Sequence, residues 1–282
     1  MKAPEKSFDS AMEHFKSITE SPSKYDNIDQ WSVRQILETM NKEDMLVPLA
    51  VKEQIPQIEK LVTLLTRRIK SGGRLFYLGA GTSGRLGILD ASEIPPTFGA
   101  PYDLVIGLIA GGDTAIRKAV ESAEDDPDQS WKDMAPFHPT AKDTVVGIAA
   151  SGRTPYVIGG VTRARKEGLL TACITNNPGT RLAAAVDIPI EVIVGPEFVT
   201  GSTRMKSGTS AKLVLNMITT GTMIKLGRVK GNKMVDMQLT NQKLVERGTR
   251  MIVEETGLEP DEAKRLLLLY GSVRAVLDAL KK

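Results

Sequence analysis

Cysteine and histidine are nearly absent from this chain. Cys173 stands alone among 282 residues, so no intramolecular disulfide can form and no cysteine cluster can hold a metal. The two histidines, His14 and His138, have no histidine neighbour at a ligand spacing, and a zinc site needs more donors than they supply. Charge of one sign is scarce as well: 37 Lys and Arg face 34 Asp and Glu, a net charge of +3. So small an excess leaves no electrostatic footprint for nucleic acid, and no basic run resembles an arm or a membrane patch. No apolar run approaches the roughly 20 residues that span a bilayer. Met1–Ser21 also lacks the basic-then-apolar order of a secretory signal. These absences lead to the expectation of a soluble cytoplasmic protein that binds neither nucleic acid nor membrane. The 41% hydrophobic content is sufficient for one large α/β domain with a small appendage.

What the chain does have is concentrated in Leu75–Gly99, LFYLGAGTSGRLGILDASEIPPTFG. The apolar run Leu75–Leu78 suits a buried strand. Gly79, Gly81, Gly84 and Gly87 follow, with Thr82 and Ser83 among them. A glycine-rich turn between a strand and a helix offers backbone N–H groups and a positive helix end to an anion. Its alternative role is close packing of strand against helix. The turn does not fit the Walker A pattern. Asp103, the acid at the distance of a ribose-binding residue, precedes a strand rather than ending one, which makes a dinucleotide site the weaker reading. Asp90 and Glu93 come next, and Pro95-Pro96 is expected to end the helix that carries them.

Further strands are expected near Leu104–Ile109, Thr144–Ala149, Leu169–Thr175 and Ile188–Val194, alternating with helices. That alternation argues for a mainly parallel sheet covered on both faces. Pro48 and Pro56 mark boundaries or kinks in the helical stretch after Met45. A helix through Ala115, Ile116, Ala119, Val120 and Ala123 would end on Glu121, Glu124, Asp125 and Asp126, an unfavourable set of charges for a helix C-terminus. Asn176-Asn177-Pro178-Gly179 reads as a turn. The small-residue turn Thr200–Thr203 opens a long, nearly continuously apolar helix, which implies burial in the core or against a second subunit. Another helix is expected from Val235 to about Thr256, and the tail breaks at Gly257 and again at Gly271. The division expected is a helical and loop segment over 1–44, an α/β domain over 45–256 and a short helical appendage over 257–282.

One internal echo stands out. Leu78–Arg85 and Gly147–Arg153 each run from a strand through small residues into Ser-Gly-Arg. The separation exceeds solenoid periods. It points instead to two serine-bearing turns, at Ser83 and Ser151, on the carboxyl edge of one sheet, where open parallel sheets bind ligands. Glu93 and Glu124 are the acid–base candidates, with Asp90, Glu121 and Asp125 as neighbours. Arg85, Arg153, Arg204 and Lys206 are candidate phosphate partners that could equally cover surface or pair with acids. Cys173 and the methionines of the late helices read as core.

GAGTSGRLGILDASEIPPTFG, LIAGGDTAIRKAVESAEDD, GIAASGRTPYV and VTGSTRMKSGT resemble the successive motifs of the N-acetylmuramic acid 6-phosphate etherases. These belong to the sugar isomerase (SIS) group, which includes the glucokinase regulatory protein. The resemblance spans roughly Glu43 to Arg250. It implies an SIS-type parallel sheet flanked by helices and a cytoplasmic enzyme of cell-wall sugar recycling. It implies no metal and no organic cofactor, and a homodimer. The substrate implied is N-acetylmuramic acid 6-phosphate, cleaved at its D-lactyl ether to N-acetylglucosamine 6-phosphate and D-lactate. By the same resemblance Glu93 protonates the departing lactate oxygen and Glu124 is the second acid–base group. The implied substrate contacts are Thr82, Ser83, Ser151 and Thr154, followed by Ser202 and Lys206. The region after Gly257 is shorter than the appendage of longer members. Two other readings remain at this point: a sugar-phosphate-sensing SIS protein without turnover, and a sugar-phosphate isomerase.

Overall fold

Adjacent residues of the first strand face opposite ways, and the whole architecture follows from that alternation. The computed structural model describes residues 17–120 and 122–281. His14, Glu121 and the first part of the 1–44 segment lie outside the described residues. Among the described residues two short 3-10 turns (Ile18–Glu20 and Ile28–Gln30) precede α1 (Val33–Asp44), α2 (Val47–Lys52) and α3 (Ile55–Lys70). The Ser32 side chain caps α1 by accepting the Gln35 N–H at 3.2 Å. Pro48 and Pro56 sit in the first turns of α2 and α3, where a missing N–H costs nothing, so they begin helices rather than kink one.

The central domain then runs β1 (Leu75–Gly79), α4 (Gly81–Phe98), β2 (Val105–Ile109), α5 (Gly112–Arg117), α6 (Gln129–Met134) and β3 (Thr144–Ile148). It continues through α7 (Pro155–Lys166), β4 (Leu170–Thr175), α8 (Arg181–Ala184), β5 (Ile188–Glu191) and α9 (Lys206–Lys225). The five strands are parallel in the order β2-β1-β3-β4-β5. Leu75, Tyr77, Val146, Ile148, Ala172 and Ile174 point into a core closed by α2, α3, α4 and α9. Phe76, Leu78, Val145 and Cys173 point the other way, against α6, α7 and α8. Both faces are therefore covered, as the alternating strands and helices require. Cys173 is core, and burial pushes its thiol up to about 12. α9 is the long apolar helix: it packs on α1, α2, α3 and α4.

Three expectations are corrected. First, α4 continues through Pro95 and Pro96 and stops at Gly99. The two prolines fall in its last turn, where only the Ala91 and Ser92 carbonyls lose a donor, while Pro95 O still accepts the Gly99 N–H at 2.9 Å. Second, the helix at Ala115 ends at Arg117, ahead of the acidic run, which removes the conflict between those carboxylates and a helix C-terminus. Third, the helix expected from Val235 starts only at Gln242, where the Asn241 side chain caps it. This helix, α10 (Gln242–Thr256), shares a separate hydrophobic cluster with α11 (Pro260–Tyr270) and α12 (Val273–Ala279). The Gln238 N–H donates to Pro96 O at 3.1 Å, which ties the approach to that bundle onto the end of α4.

Candidate active site

β1 lies between β2 and β3, so the chain leaves β1 toward one side of the sheet and β3 toward the other. α4 covers one face and α7 the opposite face, which opens a crevice at the carboxyl ends of β1 and β3. The two serine-bearing turns sit there. In the first, Gly81 has φ +51 and open space where a side chain would stand. The N-terminus of α4 has no side-chain cap among the described residues. Gly84 serves packing instead, since a Cβ there would lie 2.5 Å from Ile109 Cγ1 and 2.9 Å from Gly79 O. The GAGTSG turn thus packs strand against helix through Gly84 and leaves open space at Gly81.

In the second turn, Ser151 Oγ accepts the Arg153 N–H at 3.2 Å. Thr154 occupies the N-cap position of α7, and its side chain makes no cap bond. Glu124 enters from the loop after α5. Its carbonyl accepts the Tyr156 N–H at 2.9 Å, while Tyr156 Oη donates to Asp133 at 2.7 Å. Gly159 permits this docking: a Cβ on it would lie 1.8 Å from Pro127 O. Arg85, a candidate phosphate partner, instead donates to Ala115 O and Ile116 O, both at 2.8 Å, and so closes the end of α5. A cavity of about 160 Å³ is lined by Gly81, Arg85, Ser122 and Glu124. The first turn and Glu124 are therefore brought together.

Glu93 is elsewhere. It lies twelve residues beyond Gly81 on α4, about 18 Å along the helix axis. It lines a separate cleft of about 230 Å³ with Leu89, Asp90, Lys212 and Asn216. The two carboxylates of one chain thus line different clefts. Asp90, one turn before Glu93, accepts from Tyr77 Oη and Thr219 Oγ1, each at 3.1 Å. Burial outweighs those bonds and the nearby Lys212 charge, and pushes the Asp90 carboxyl up to about 6.

The start of α9 lies against the first turn, because a Cβ on Gly208 would meet Thr82 Cγ2 at 3.5 Å. Ser202 is half-buried just before it. Lys206 turns inward: its Nζ bonds Glu43 Oε2 at 2.6 Å and its side chain is 1% exposed. Burial would raise the Glu43 carboxyl, but Lys206, Tyr25 and Lys24 more than offset this and hold it below its usual range. The positive end of α9 is occupied by Glu197, which accepts the N–H groups of Lys206 and Ser207 at 2.9 Å and the Ser207 hydroxyl at 2.7 Å. The ammonium of Lys206 is thus part of the scaffold rather than of the crevice wall.

Several residues around the crevice carry no sequence signal for a place there. Asn176 and Asn177, expected as turn residues, are buried, and their side chains bond neighbouring segments. Ser23 donates through Oγ to Phe198 O at 2.8 Å, and its N–H reaches Thr200 Oγ1 at 2.9 Å. Tyr25, Trp31 and Phe198 pack their rings together. Residues 23–31 therefore lie over the approach to the Thr200–Thr203 turn.

Comparison with known proteins fits this geometry. The family model of the glucokinase regulatory protein N-terminal SIS domain matches residues 57–165. An N-acetylmuramic acid 6-phosphate etherase of Bacteroides fragilis is 64% identical over 267 residues, 95% of each chain. The chain belongs to the N-acetylmuramic acid 6-phosphate etherase family. Other etherases of this family, from Bacteroides thetaiotaomicron and Porphyromonas gingivalis, are 62% and 58% identical over 268 residues, covering 97% and 98% of those chains. Among solved structures, a phosphoheptose isomerase of Neisseria gonorrhoeae aligns with TM-score 0.53 and 18% identity, covering 67% of this chain and 98% of its own. A putative phosphosugar isomerase involved in capsule formation from Bacteroides fragilis aligns with TM-score 0.52 and 20% identity, covering 70% and 94%. At such identity the likeness places the etherase family chain in the SIS fold.

Proposed function

We propose that the protein hydrolyses the D-lactyl ether of N-acetylmuramic acid 6-phosphate to N-acetylglucosamine 6-phosphate and D-lactate, in cell-wall amino-sugar recycling. The observation that carries this reading is the 64% identity to an etherase over 95% of both chains. The chemistry asks for two proton-transfer groups. The C2 proton is acidic only when C1 is an open-chain aldehyde, and the ether oxygen on C3 leaves only when protonated. Loss of the C2 proton breaks the C3–O bond with formation of the C2–C3 double bond, and Glu93 protonates the lactate oxygen. Water then adds at C3 and a proton returns to C2, with Glu124 as the second acid–base group. Each group contributes about 10²–10⁴-fold. The 6-phosphate binds at the turns of Thr82, Ser83, Ser151 and Thr154, with Ser202 at the edge, so that phosphate binding positions C2 and C3.

The protein acts as a homodimer in this reading. Val33, Leu37 and Leu49 are 72%, 59% and 61% exposed on α1 and α2, an apolar face of the kind a partner covers. The distance of Glu93 from the crevice of its own chain supports a site in which the second copy supplies it. The test is D-lactate release from N-acetylmuramic acid 6-phosphate. The wild type releases it, and Glu93→Gln and Glu124→Gln lose at least about 100-fold. A folded wild type that releases no lactate refutes the function, and normal release by Glu93→Gln refutes that residue's role.

A further inference from the structure

Asn177 follows β4 and is wholly buried. Its amide is saturated with partners. Oδ1 accepts the N–H of Ile18 at 2.6 Å, the N–H of Thr19 at 3.2 Å and the Ser17 hydroxyl at 3.4 Å. Nδ2 donates to Thr19 Oγ1 at 2.9 Å, to Ala150 O at 3.1 Å and to Ser151 O at 3.4 Å. One side chain thus joins the N-terminal segment to the second ligand turn. Ala150 O also accepts the Asn176 N–H at 3.0 Å and the Thr175 hydroxyl at 3.2 Å, so this carbonyl is held from three directions.

That anchoring has a consequence for the opposite side of the turn. A trans peptide points its N–H away from its C=O. Drawing Ala150 O toward Asn177 therefore turns the Ser151 N–H away from Asn177, toward the open side of the turn. Ser151 Oγ already accepts the Arg153 N–H, which leaves its hydroxyl proton to donate. An N–H and an O–H on one residue then form a two-point donor for an anionic oxygen.

We infer that Asn177 is a positioning residue for the 6-phosphate of the substrate, holding the Ser151 turn with its donors outward and coupling that geometry to the docking of the Ser17–Glu20 segment. This inference rests on the sugar-phosphate reading given above. Aspartate at this position keeps the acceptor for Ile18 and Thr19 but sets a carboxylate against two carbonyl oxygens. Thr19→Val removes the bonds of Thr19 Oγ1 to Asn177 Nδ2 and to Ser17 Oγ and leaves both turn carbonyls held.

The test uses the full chain. Calorimetry measures binding of N-acetylglucosamine 6-phosphate, inorganic phosphate and unphosphorylated N-acetylglucosamine, and steady-state kinetics follows lactate release. For Asn177→Asp, the affinity for the two phosphate-bearing probes falls about tenfold or more and KM rises equally, while kcat stays within about threefold. Binding of the unphosphorylated sugar is unchanged, and Thr19→Val stays within about threefold throughout. If Asn177→Asp does not fold, Ile18→Pro, which deletes the N–H behind the shortest bond to Oδ1, gives the same KM rise in smaller measure. A lowered melting temperature with unchanged KM and phosphate affinity, or a loss confined to kcat, overturns the inference. A wild type that binds the phosphate probes yet releases no lactate refutes the etherase reading alone, and the binding arms still decide the role of Asn177.

Discussion

At the scale of single residues, the side chains with the plainest chemistry do not all face the crevice. Arg85 and Lys206 have the charge a phosphate needs, but Arg85 holds the carbonyls at the end of α5 and Lys206 neutralises Glu43 in the interior. Charge is visible in a sequence, whereas the direction of a long side chain depends on which partner lies within its reach. Asp90 shows what burial does to the same kind of group. Its carboxyl stands at about 6 against an ordinary 3.8, so the folded protein binds this proton more tightly than the unfolded chain does. Stability from this group is fully present below about pH 4 and falls as the pH rises through 6. Asp90→Asn is therefore expected to raise stability at pH 7.5 by about 1–2 kcal/mol and to change little at pH 4. Denaturant unfolding at the two pH values checks this, and an equal gain at both contradicts it.

At the scale of elements, short apolar runs located all five strands, because a parallel sheet covered on both faces buries successive residues, and apolar recurrence near 3.6 residues located most helices. It overran where the ends depend on contacts elsewhere. The α5 helix stops before the acidic run, and α4 passes through two prolines, choices made by electrostatics at one end and by packing at the other. The loop bearing Glu124 is held by α7, whose Gly159 leaves no room for a side chain beside Pro127 O. Gly159→Ala is thus expected to displace that loop, costing about 1–3 kcal/mol in stability and at least about tenfold in lactate release. Gly208→Ala is the control, since its added methyl meets Thr82 Cγ2 at an ordinary 3.5 Å. A Gly159→Ala enzyme with normal melting and turnover would show that the loop is not held in this way.

At the scale of the whole molecule, the proposed site draws on two copies of the chain, and this can be read from activity. If each site takes Glu93 from one subunit and Glu124 from the other, mixing and reassociating the inactive Glu93→Gln and Glu124→Gln variants creates hybrid dimers with one intact site in two. Activity is then expected to recover to about a quarter of the wild-type level. No recovery under conditions where sedimentation shows exchange between dimers would place both carboxylates in the same subunit. Leu49→Glu on the exposed apolar face is expected to shift the protein toward monomer. By itself the sequence determined the alternating strands and helices, the parallel sheet, the two serine-bearing turns and the family, since these rest on local periodicity and on motifs contiguous in the chain. Only the tertiary structure decided that Glu93 and Glu124 lie apart, that Lys206 is internal, and that Asn177 and the Ser17–Glu20 segment stand behind the second turn. The first depends on the length of α4 and on the seating of the Glu124 loop by α7, and the others on contacts between residues more than a hundred positions apart, which neither spacing nor composition records.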